Sequence, residues 1–426
     1  MAQSTLTIII IFLSVISFAL EKIPLSMTAM LAALAMGITG VIPIKDIYSS
    51  FGASATIFVA AMMIVGNALF ENGVTSAMGE KIFKTKVAQN ERVFIVIVTT
   101  FAFILSAICS NSAVVAMVIP LIGAIAIKSK GVITNKNTIM AAGMAAAAGG
   151  VCTLAGSTPQ MIGQGIFQNA GIPAMGFFDL GKAGLPLCLI MIIYFATFGY
   201  SIMKKSLNFE DVSVIDVSSE ENKSNNTEIP KYKTYLTTII TLGCVIGFVA
   251  GVWDITTVAL LGATALIVTR CIGFKEALAG VDWNTIIILG ASQAFAKGMV
   301  TSGAGEMIAE GCINFFGVDS NPIIILSALI VITVILTNFM SNAAIASMLI
   351  PIAINIATGI NANPATFGIA VIIACQLALA TPVGTPCVTQ TLVGGYKYKH
   401  YVIVGLPITL IMTIAAIIII PAVYGW

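Results

Sequence analysis

Two eleven-residue stretches decide the fold of this chain. Residues 110–120 read SNSAVVAMVIP, and residues 341–351 read SNAAIASMLIP, at a constant offset of 231. Two further matches lie at nearly the same offset: residues 74–80 resemble 300–306 at offset 226, and Lys45-Asp46 resembles Lys275-Glu276 at offset 230. A near-constant offset across three motifs indicates that one unit occurs twice in the chain.

The composition is typical of a membrane protein. Of 426 residues, 58% are hydrophobic and only 9% are charged, and the mean hydropathy is +1.03. Soluble domains carry roughly a quarter charged residues, so this chain cannot cover a water-exposed surface. The net charge of +2 offers no basic surface for nucleic acid. We expect neither a zinc or iron centre nor an enzyme, because the eight cysteines are scattered, there is one histidine, and no nucleophile–base pair lies in the apolar segments.

The pattern predicts an all-α polytopic membrane protein with two inverted repeats of five transmembrane helices, each repeat containing a re-entrant hairpin and a broken helix. Between the repeats, residues 204–233 are rich in Ser, Asn, Glu and Lys and predict a flexible cytoplasmic loop. The first repeat, 1–203, has scaffold helices at 5–71, a hairpin at 93–127, a broken helix at 139–168 and a helix at 184–203. The second repeat, 234–426, has scaffold helices at 234–299, a hairpin at 322–357, a broken helix at 366–395 and a helix at 401–424.

Each Ser-Asn stretch is predicted to form a hairpin whose tip stops inside the protein. In the first repeat, the arms 93–109 and 112–127 have about 16 residues each, or roughly 25 Å as helix. Their junction carries no charge, glycine or proline, whereas a turn at the membrane surface is usually more polar. The alternative is a pair of ordinary spans joined by a small polar turn.

The distribution of basic residues predicts the orientation. If each hairpin returns to the side from which it enters, each repeat crosses the membrane five times, and an odd number inverts the second repeat. With the N-terminus outside, all of the 20 basic residues except Lys45, Lys182 and Lys297 fall on the cytoplasmic side. We therefore expect ten spans in a bacterial-type inner membrane, with both the N-terminus and the C-terminus outside.

Four interruptions in the apolar segments carry the candidate site. The hairpin tips contain Ser110-Asn111-Ser112 and Ser341-Asn342-Ala343, and the broken helices contain Gly156-Ser157-Thr158-Pro159 and Pro382-Val383-Gly384-Thr385-Pro386. Proline and glycine interrupt helices, and irregular backbone at membrane depth persists only where it is buried in protein or lines a cavity. Freed carbonyls and Ser, Thr or Asn oxygens suit a hard cation such as sodium, whereas helix N-termini suit an anion.

Two hydroxyls and a lack of charge add to this interpretation. Ser106 and Thr337 each lie four residues before a tip serine and share its helix face, so both are candidate cation ligands. The alternative for each is a hydrogen bond to its own helix.

Segments 104–122, 150–168, 335–357 and 370–396 contain no Lys, Arg, His, Asp or Glu. Because a proton-coupled site normally needs a titratable group in the membrane, these residues favour a cation-coupled anion carrier over a proton antiporter.

The paired motifs resemble those of the divalent anion/sodium symporter family, which includes the dicarboxylate transporters and lies within the ion transporter superfamily. The resemblance covers residues 5–425 and implies a homodimer that works by an elevator motion with sodium as coupling ion. By analogy with that fold, we expect the amphipathic linkers 75–92 and 301–321 to join a scaffold domain to a moving domain. The resemblance implies one sodium site at Ser106, Ser110, Asn111 and Gly156, a second at Thr337, Ser341, Asn342 and Gly384, and a small anionic substrate at Asn111, Ser112, Asn342, Ala343, Thr385, Pro386, Thr158 and Pro159.

Three departures from the family pattern bear on the substrate and the sites. The family usually has Thr as third tip residue, so Ala343 removes a hydroxyl that could donate to a carboxylate, while Ser112 keeps one. Gln160 and Cys387 follow the break prolines where Asn is common, and an extra residue in the first break makes either Gly156 or Ser157 the candidate ligand. Compared with the family pattern, we expect the usual first span to be absent, which would give ten spans instead of eleven.

The sequence therefore predicts a sodium-coupled symporter of a small divalent anion, with a C4-dicarboxylate as first choice. An inorganic oxyanion such as sulfate is the alternative substrate, because it needs fewer donors and tolerates Ala343. Anion exchange or efflux and sodium/proton exchange are the less favoured transport classes.

Overall fold

The structure, a computed structural model, describes residues 2–20, 22–74, 90–212, 230–316 and 321–426. Every regular element in these ranges is a helix, which confirms the predicted all-α class. The first half contains α1 (Gln3–Leu20), α2 (Leu25–Ile38), α3 (Ile44–Phe51), α4 (Ser54–Glu71), α5 (Glu91–Ser106), α6 (Asn111–Lys128), α7 (Asn135–Gly149), a 3-10 turn (Gly150–Cys152), α8 (Thr158–Asn169), α9 (Gly181–Ala196) and α10 (Phe198–Ser206).

The second half repeats this order. It contains α11 (Lys231–Ala250), α12 (Ile255–Val268), α13 (Phe274–Ala279), α14 (Trp283–Thr301), α15 (Ala304–Phe316), α16 (Pro322–Thr337), α17 (Asn342–Gly359), α18 (Pro364–Ala374), α19 (Pro386–Gln390), a 3-10 turn (Thr391–Gly394) and α20 (Tyr398–Tyr424). The element pairs α1 and α11, α5 and α16, and α6 and α17 begin at offsets between 228 and 231, close to the offset of the sequence motifs.

Two predicted helical segments are divided in the structure, and one predicted linker forms a helix. Within the predicted scaffold helices 5–71, α2 ends at Ile38, and α3 follows it as a separate short helix. The predicted helix 184–203 is bent by 47° between α9 and α10, where Thr197 leaves helical geometry. Of the two amphipathic linkers, 301–321 contains α15, which packs against α17, whereas residues 75–89 of the first linker lie outside the described residues.

Part of the predicted loop 204–233 is packed against the protein. The carboxylate of Asp211 accepts hydrogen bonds from the backbone N–H groups of Asn135 at 3.0 Å and Lys136 at 2.8 Å, and thereby caps α7. Phe209 stacks on the ring of His400 with centroids 5.2 Å apart. The first part of the loop therefore contacts both the start of α7 and the start of α20. The central residues of the loop, 213–229, lie outside the described ranges.

Several helices are suited to a bilayer. Within the described ranges, five helical segments are long and apolar enough to cross a membrane, and a sixth is counted if α9 and α10 form one bent span. Five further apolar helices have 10–17 residues. The predicted number of ten spans and the inversion of the repeats stay predictions, because helix length alone assigns neither.

Two helix groups meet along α14. Helix α14 contacts α2, α3 and α4, and it also contacts α8 and α17. In the first half, α5 and α6 pack on α7; in the second, α16 and α17 pack on α18. The contacts of α19 with α6 and α7 join the two halves, so both hairpins and both broken helices lie in one packed body beside α14.

Candidate functional site

The two hairpins turn in the same way. One residue ahead of α6, Ser110 has φ −56° and ψ 131°, and ahead of α17, Ser341 has φ −57° and ψ 134°. Neither serine side chain caps the helix that follows it. The first-turn N–H groups of α6 and α17 are therefore not taken up by a capping side chain.

Behind the first tip lies a group of oxygens that we call the first oxygen cluster: Ser106 Oγ, the Asn111 amide, Ala146 O and Gly156 O. The Ser106 hydroxyl donates to Ala146 O at 2.7 Å. With its nitrogen turned towards the cluster, the Asn111 amide donates to Gly156 O at 2.9 Å and to Ala146 O at 3.3 Å. Turned by 180°, the same amide accepts from Ser106 and presents its oxygen to the two carbonyls. Such a cluster of buried oxygens needs either a donor or a cation.

The second tip has a matching group, the second oxygen cluster: Thr337 Oγ1, the Asn342 amide, Cys375 O, Gly384 O and Thr385 Oγ1. The Thr337 hydroxyl lies 2.6 Å from Asn342 Oδ1 and 3.3 Å from Cys375 O. Asn342 Nδ2 donates to Thr385 Oγ1 at 3.2 Å, and the Asn342 backbone N–H donates to Gly384 O at 3.4 Å. Thr337 thus occupies the position of Ser106, and Cys375 that of Ala146.

Each break contains one glycine with no room for a side chain. A Cβ on Gly156 would lie 2.3 Å from Gly150 O, and a Cβ on Gly384 would lie 1.8 Å from Thr337 O. Both contacts are with backbone, which cannot rotate away. The proline that follows each glycine, Pro159 or Pro386, lies in the first turn of the next helix, where its missing N–H costs nothing.

The helix ends around the clusters are arranged by polarity. The C-terminal ends of α5 and α7 meet at the first cluster, and those of α16 and α18 meet at the second. The N-terminal ends of α6, α8, α17 and α19 face a common cavity. Because a helix carries partial negative charge at its C-terminus and partial positive charge at its N-terminus, the clusters favour cations and the cavity favours an anion.

That cavity has a volume of about 370 Å³, within the usual range of roughly 300–1,000 Å³ for small-molecule sites. It is bounded by both tips, both breaks, the C-terminal part of α4 and the start of α14. Every predicted substrate residue lines it: Asn111, Ser112, Thr158, Pro159, Asn342, Ala343, Thr385 and Pro386.

The predicted sodium ligands divide into two groups. The hydrogen bonds of the clusters run through Ser106, Asn111, Thr337 and Asn342, whose side chains are all at least nine-tenths buried. Ser110 and Ser341 instead lie on the cavity wall. Gly156 contributes its carbonyl to the first cluster, and Gly384 contributes its carbonyl to the second. The Ser157 hydroxyl is directed to Gln160 instead, so Gly156 is the better candidate ligand of the two.

The cavity wall has little fixed charge. Among its lining residues in the described ranges, Asp282 is the only Asp, Glu, Lys, Arg or His. Its carboxylate is exposed and caps α14, accepting from the Asn284 N–H at 3.0 Å and the Thr285 hydroxyl at 2.6 Å. The tips and breaks therefore supply dipoles and hydroxyls to a ligand, and no basic side chain.

The sequence as a whole identifies the family. A sequence profile of the citrate transporter family matches residues 15–365 and, in a second match, residues 245–426. The chain belongs to the citrate transporter family. Members of this family are polytopic membrane transporters, so this protein is a transporter, and the anion-transporter family expected from the doubled motifs is confirmed.

Relatives of this citrate transporter family member support the assignment. An uncharacterized transporter of Methanocaldococcus jannaschii is 24% identical over 314 residues, which is 73% of this chain and 69% of that protein. The sodium-dependent dicarboxylate transporter SdcS of Staphylococcus saprophyticus is 23% identical over 397 residues, 86% of this chain and 75% of its own. The solved structure of Neisseria gonorrhoeae MtrF, described as one of a class of antimetabolite efflux pumps, shares the fold with a TM-score of 0.62 at 15% identity, covering 99% of this chain and 94% of MtrF.

Sequence reasoning missed two kinds of candidate site residue in this transporter. Ala146 and Cys375 act through backbone carbonyls, which leave no trace in side-chain type. Asn67 and Asn284 reach the cavity from outside the tips and breaks. An asparagine inside an otherwise apolar helix, as at Asn67 in α4, is the signal that could have drawn attention to this wall.

Proposed function

We propose that this protein is a secondary active transporter that couples sodium to the movement of a small divalent anion, with a C4-dicarboxylate as the first candidate. One observation carries the proposal: both hairpin tips and both breaks line a single cavity, and an oxygen cluster lies behind each tip. The first cluster would bind one sodium ion and the second cluster another. The resemblance of these motifs to sodium symporters and the name of SdcS support the same coupling ion.

Magnitudes explain why cations are needed. One helix N-terminus stabilises an adjacent charge by about 0.3–1 kcal/mol, whereas two opposite unit charges 4 Å apart attract by about 4 kcal/mol at an effective dielectric constant near 20. The cavity wall holds no basic side chain among the described residues. Bound sodium ions would therefore contribute more to holding a dianion than the four helix ends do.

The donor set of each cluster fits sodium. Serine, threonine and asparagine oxygens together with backbone carbonyls are neutral, hard ligands, as oxygen-binding cations require. In the first cluster, rotation of the Asn111 amide would exchange a donor for an acceptor, so the protein can satisfy the same oxygens with or without an ion.

The transport cycle that we propose is an elevator motion with the cavity carried past a scaffold. With both termini outside an inner membrane, the C-terminal end of α4 and the start of α14 face the cytoplasm, so this structure would be the inward-open state. The moving part would contain α5–α9 and α16–α20, and the scaffold α1–α4 and α11–α14. The resemblance also implies a homodimer, which would hold two scaffolds together.

The experiment is uptake into proteoliposomes. An inward sodium gradient should drive accumulation of labelled succinate, and an equal potassium gradient should not. Because the matched family is named for citrate, citrate and sulfate serve as unlabelled competitors. If labelled sulfate accumulates under a sodium gradient and labelled succinate does not, the substrate is an inorganic oxyanion instead of a dicarboxylate. Succinate uptake that is equal with and without a sodium gradient would overturn the proposed coupling to sodium. Loss of preloaded substrate from the proteoliposomes without any effect of sodium would indicate efflux.

A further inference from the structure

A chain of three polar side chains joins the two breaks, and we call it the relay: Gln376, Ser157 and Gln160. Gln376 Nε2 donates to the Ser157 hydroxyl, the Ser157 hydroxyl donates to Gln160 Oε1, and Gln160 Nε2 donates to Gly150 O at 2.7 Å. Gln160 is 0% exposed and Gln376 1% exposed, whereas Ser157 is half-buried and lies with Gln376 on the cavity wall. The relay crosses from the second repeat to the first.

The direction of the relay is fixed at its Gly150 end. A carbonyl can only accept, so the Gln160 nitrogen must face Gly150 O and its oxygen must face Ser157. The Ser157 hydroxyl has one hydrogen, which it donates to Gln160. Its oxygen therefore accepts a hydrogen bond from the nitrogen of Gln376. This leaves Gln376 Oε1 buried without a hydrogen-bond partner in the described structure. The bonds of Gln160 to Gly150 and Ser157 therefore determine the orientation of the Gln376 amide.

Two residues of the relay, Ser157 and Gln376, are each adjacent in sequence to a residue of an oxygen cluster. Ser157 directly follows Gly156, whose carbonyl belongs to the first cluster, and Gln376 directly follows Cys375, whose carbonyl belongs to the second. At the far end, the backbone of Gly150 packs against the Asn111 amide, because a Cβ there would lie 2.7 Å from Asn111 Oδ1. A shift of either cluster carbonyl therefore moves a residue bonded into the relay.

We propose that the relay couples the two oxygen clusters, and that Gln376 and Ser157 are positioning residues through which a cation bound at one cluster raises the affinity of the other. The inference rests on the proposed function, since it takes sodium as the ligand of both clusters. Sodium at the first cluster would hold Gly156 O, and with it Ser157 in position to receive Gln376. Gln376 would then keep Cys375 O directed at Thr337, which prepares the second cluster. Coupling of this kind typically changes affinity about 5- to 150-fold.

The test is Gln376→Met, which keeps the side-chain length and removes both the donor and the acceptor of the side-chain amide. Purified protein without any anion is titrated with sodium chloride against choline chloride, and the thermal midpoint is followed as the binding signal. We expect a Hill coefficient above 1 in the wild type, and for Gln376→Met a coefficient near 1 with half-saturating sodium raised about 5-fold or more. The matched control is Gln164→Met: Gln164 is 3% exposed, lies in α8 and bonds to Met175 outside the relay, so the Hill coefficient should be unchanged.

Ser157→Ala is a second, smaller perturbation of the relay. It tests the coupling of the two clusters even if Gln376→Met does not fold. It should lower the Hill coefficient in the same way, and the double variant should be no worse than either single one, because one broken bond already interrupts the relay. Wild-type cooperativity retained in both single variants would overturn the relay while leaving sodium-driven uptake intact. A wild type with a Hill coefficient of 1 would also overturn it, and a wild type that shows no sodium response would overturn both this inference and the proposed function.

Discussion

The substitution Gly384→Ala tests the second oxygen cluster most directly. The new Cβ would lie 1.8 Å from Thr337 O and 3.3 Å from Met340 O. Contacts under 3.0 Å between a Cβ and an oxygen are not tolerated, so the break and the end of α16 must separate by more than about 1 Å. Because α16 ends at Thr337, this movement displaces the Thr337 hydroxyl from the cluster.

The magnitude follows from the cost of overpacking. Inserting one methyl group into a packed site typically costs about 1–3 kcal/mol. If that cost falls on the cation-bound state, half-saturating sodium rises roughly 5- to 150-fold, since about 1.4 kcal/mol corresponds to a factor of ten. The assay is succinate uptake into proteoliposomes over a range of sodium concentrations, with the thermal midpoint of the purified protein as a check of folding.

The matched control for this substitution is Gly243→Ala in α11, where a Cβ would meet nothing within 4 Å. Alanine there should leave transport unchanged and stabilise the helix by up to about 1 kcal/mol. A Gly384→Ala protein with wild-type sodium dependence would refute the reasoning, because the close approach of the second break to α16 would then have no part in binding.

Three further predictions concern the tips and the orientation. Replacement of Asn111 or Asn342 by alanine removes the amide of one cluster and should abolish sodium-driven uptake without lowering the amount of protein in the membrane. Ala343→Thr restores a hydroxyl at the second tip and should raise the affinity for succinate relative to sulfate in competition; an unchanged ratio would show that this position does not face the substrate. A cysteine at Lys45 should react with an impermeant maleimide from outside intact cells, whereas one at Lys399 should react only after permeabilisation, and the opposite pattern would reverse the predicted orientation.

The hairpin tips show what could be predicted from sequence. Ser110-Asn111 and Ser341-Asn342 are polar pairs inside apolar segments, and the duplication gives each a partner at a fixed offset. A polar group at membrane depth is costly unless it is buried in protein or lines a cavity, so the tips could be assigned to a site before any fold was known. The matched positions of Ser106 and Thr337 could be found in the same way.

The partners of these residues could not be predicted. Ala146 and Cys375 take part through carbonyl oxygens, which every residue type carries, so their role depends on where α7 and α18 end and on which hairpin packs against them. The relay is a similar case. Gln376 and Ser157 are 219 positions apart in the chain, and nothing in either sequence neighbourhood indicates that they meet.

The sequence by itself determined the helical membrane class, the duplication and the four interruptions, because these follow from hydropathy, offsets and the local chemistry of proline, glycine and asparagine. Only the tertiary structure decided that the four interruptions surround one cavity and that the helix C-termini lie behind the tips while the N-termini face the cavity. It also decided that the end of α4 and the start of α14 line this cavity. The physical reason is that hydropathy acts on each segment separately, whereas the direction of a helix dipole and the neighbours of a carbonyl are set by how distant segments pack together.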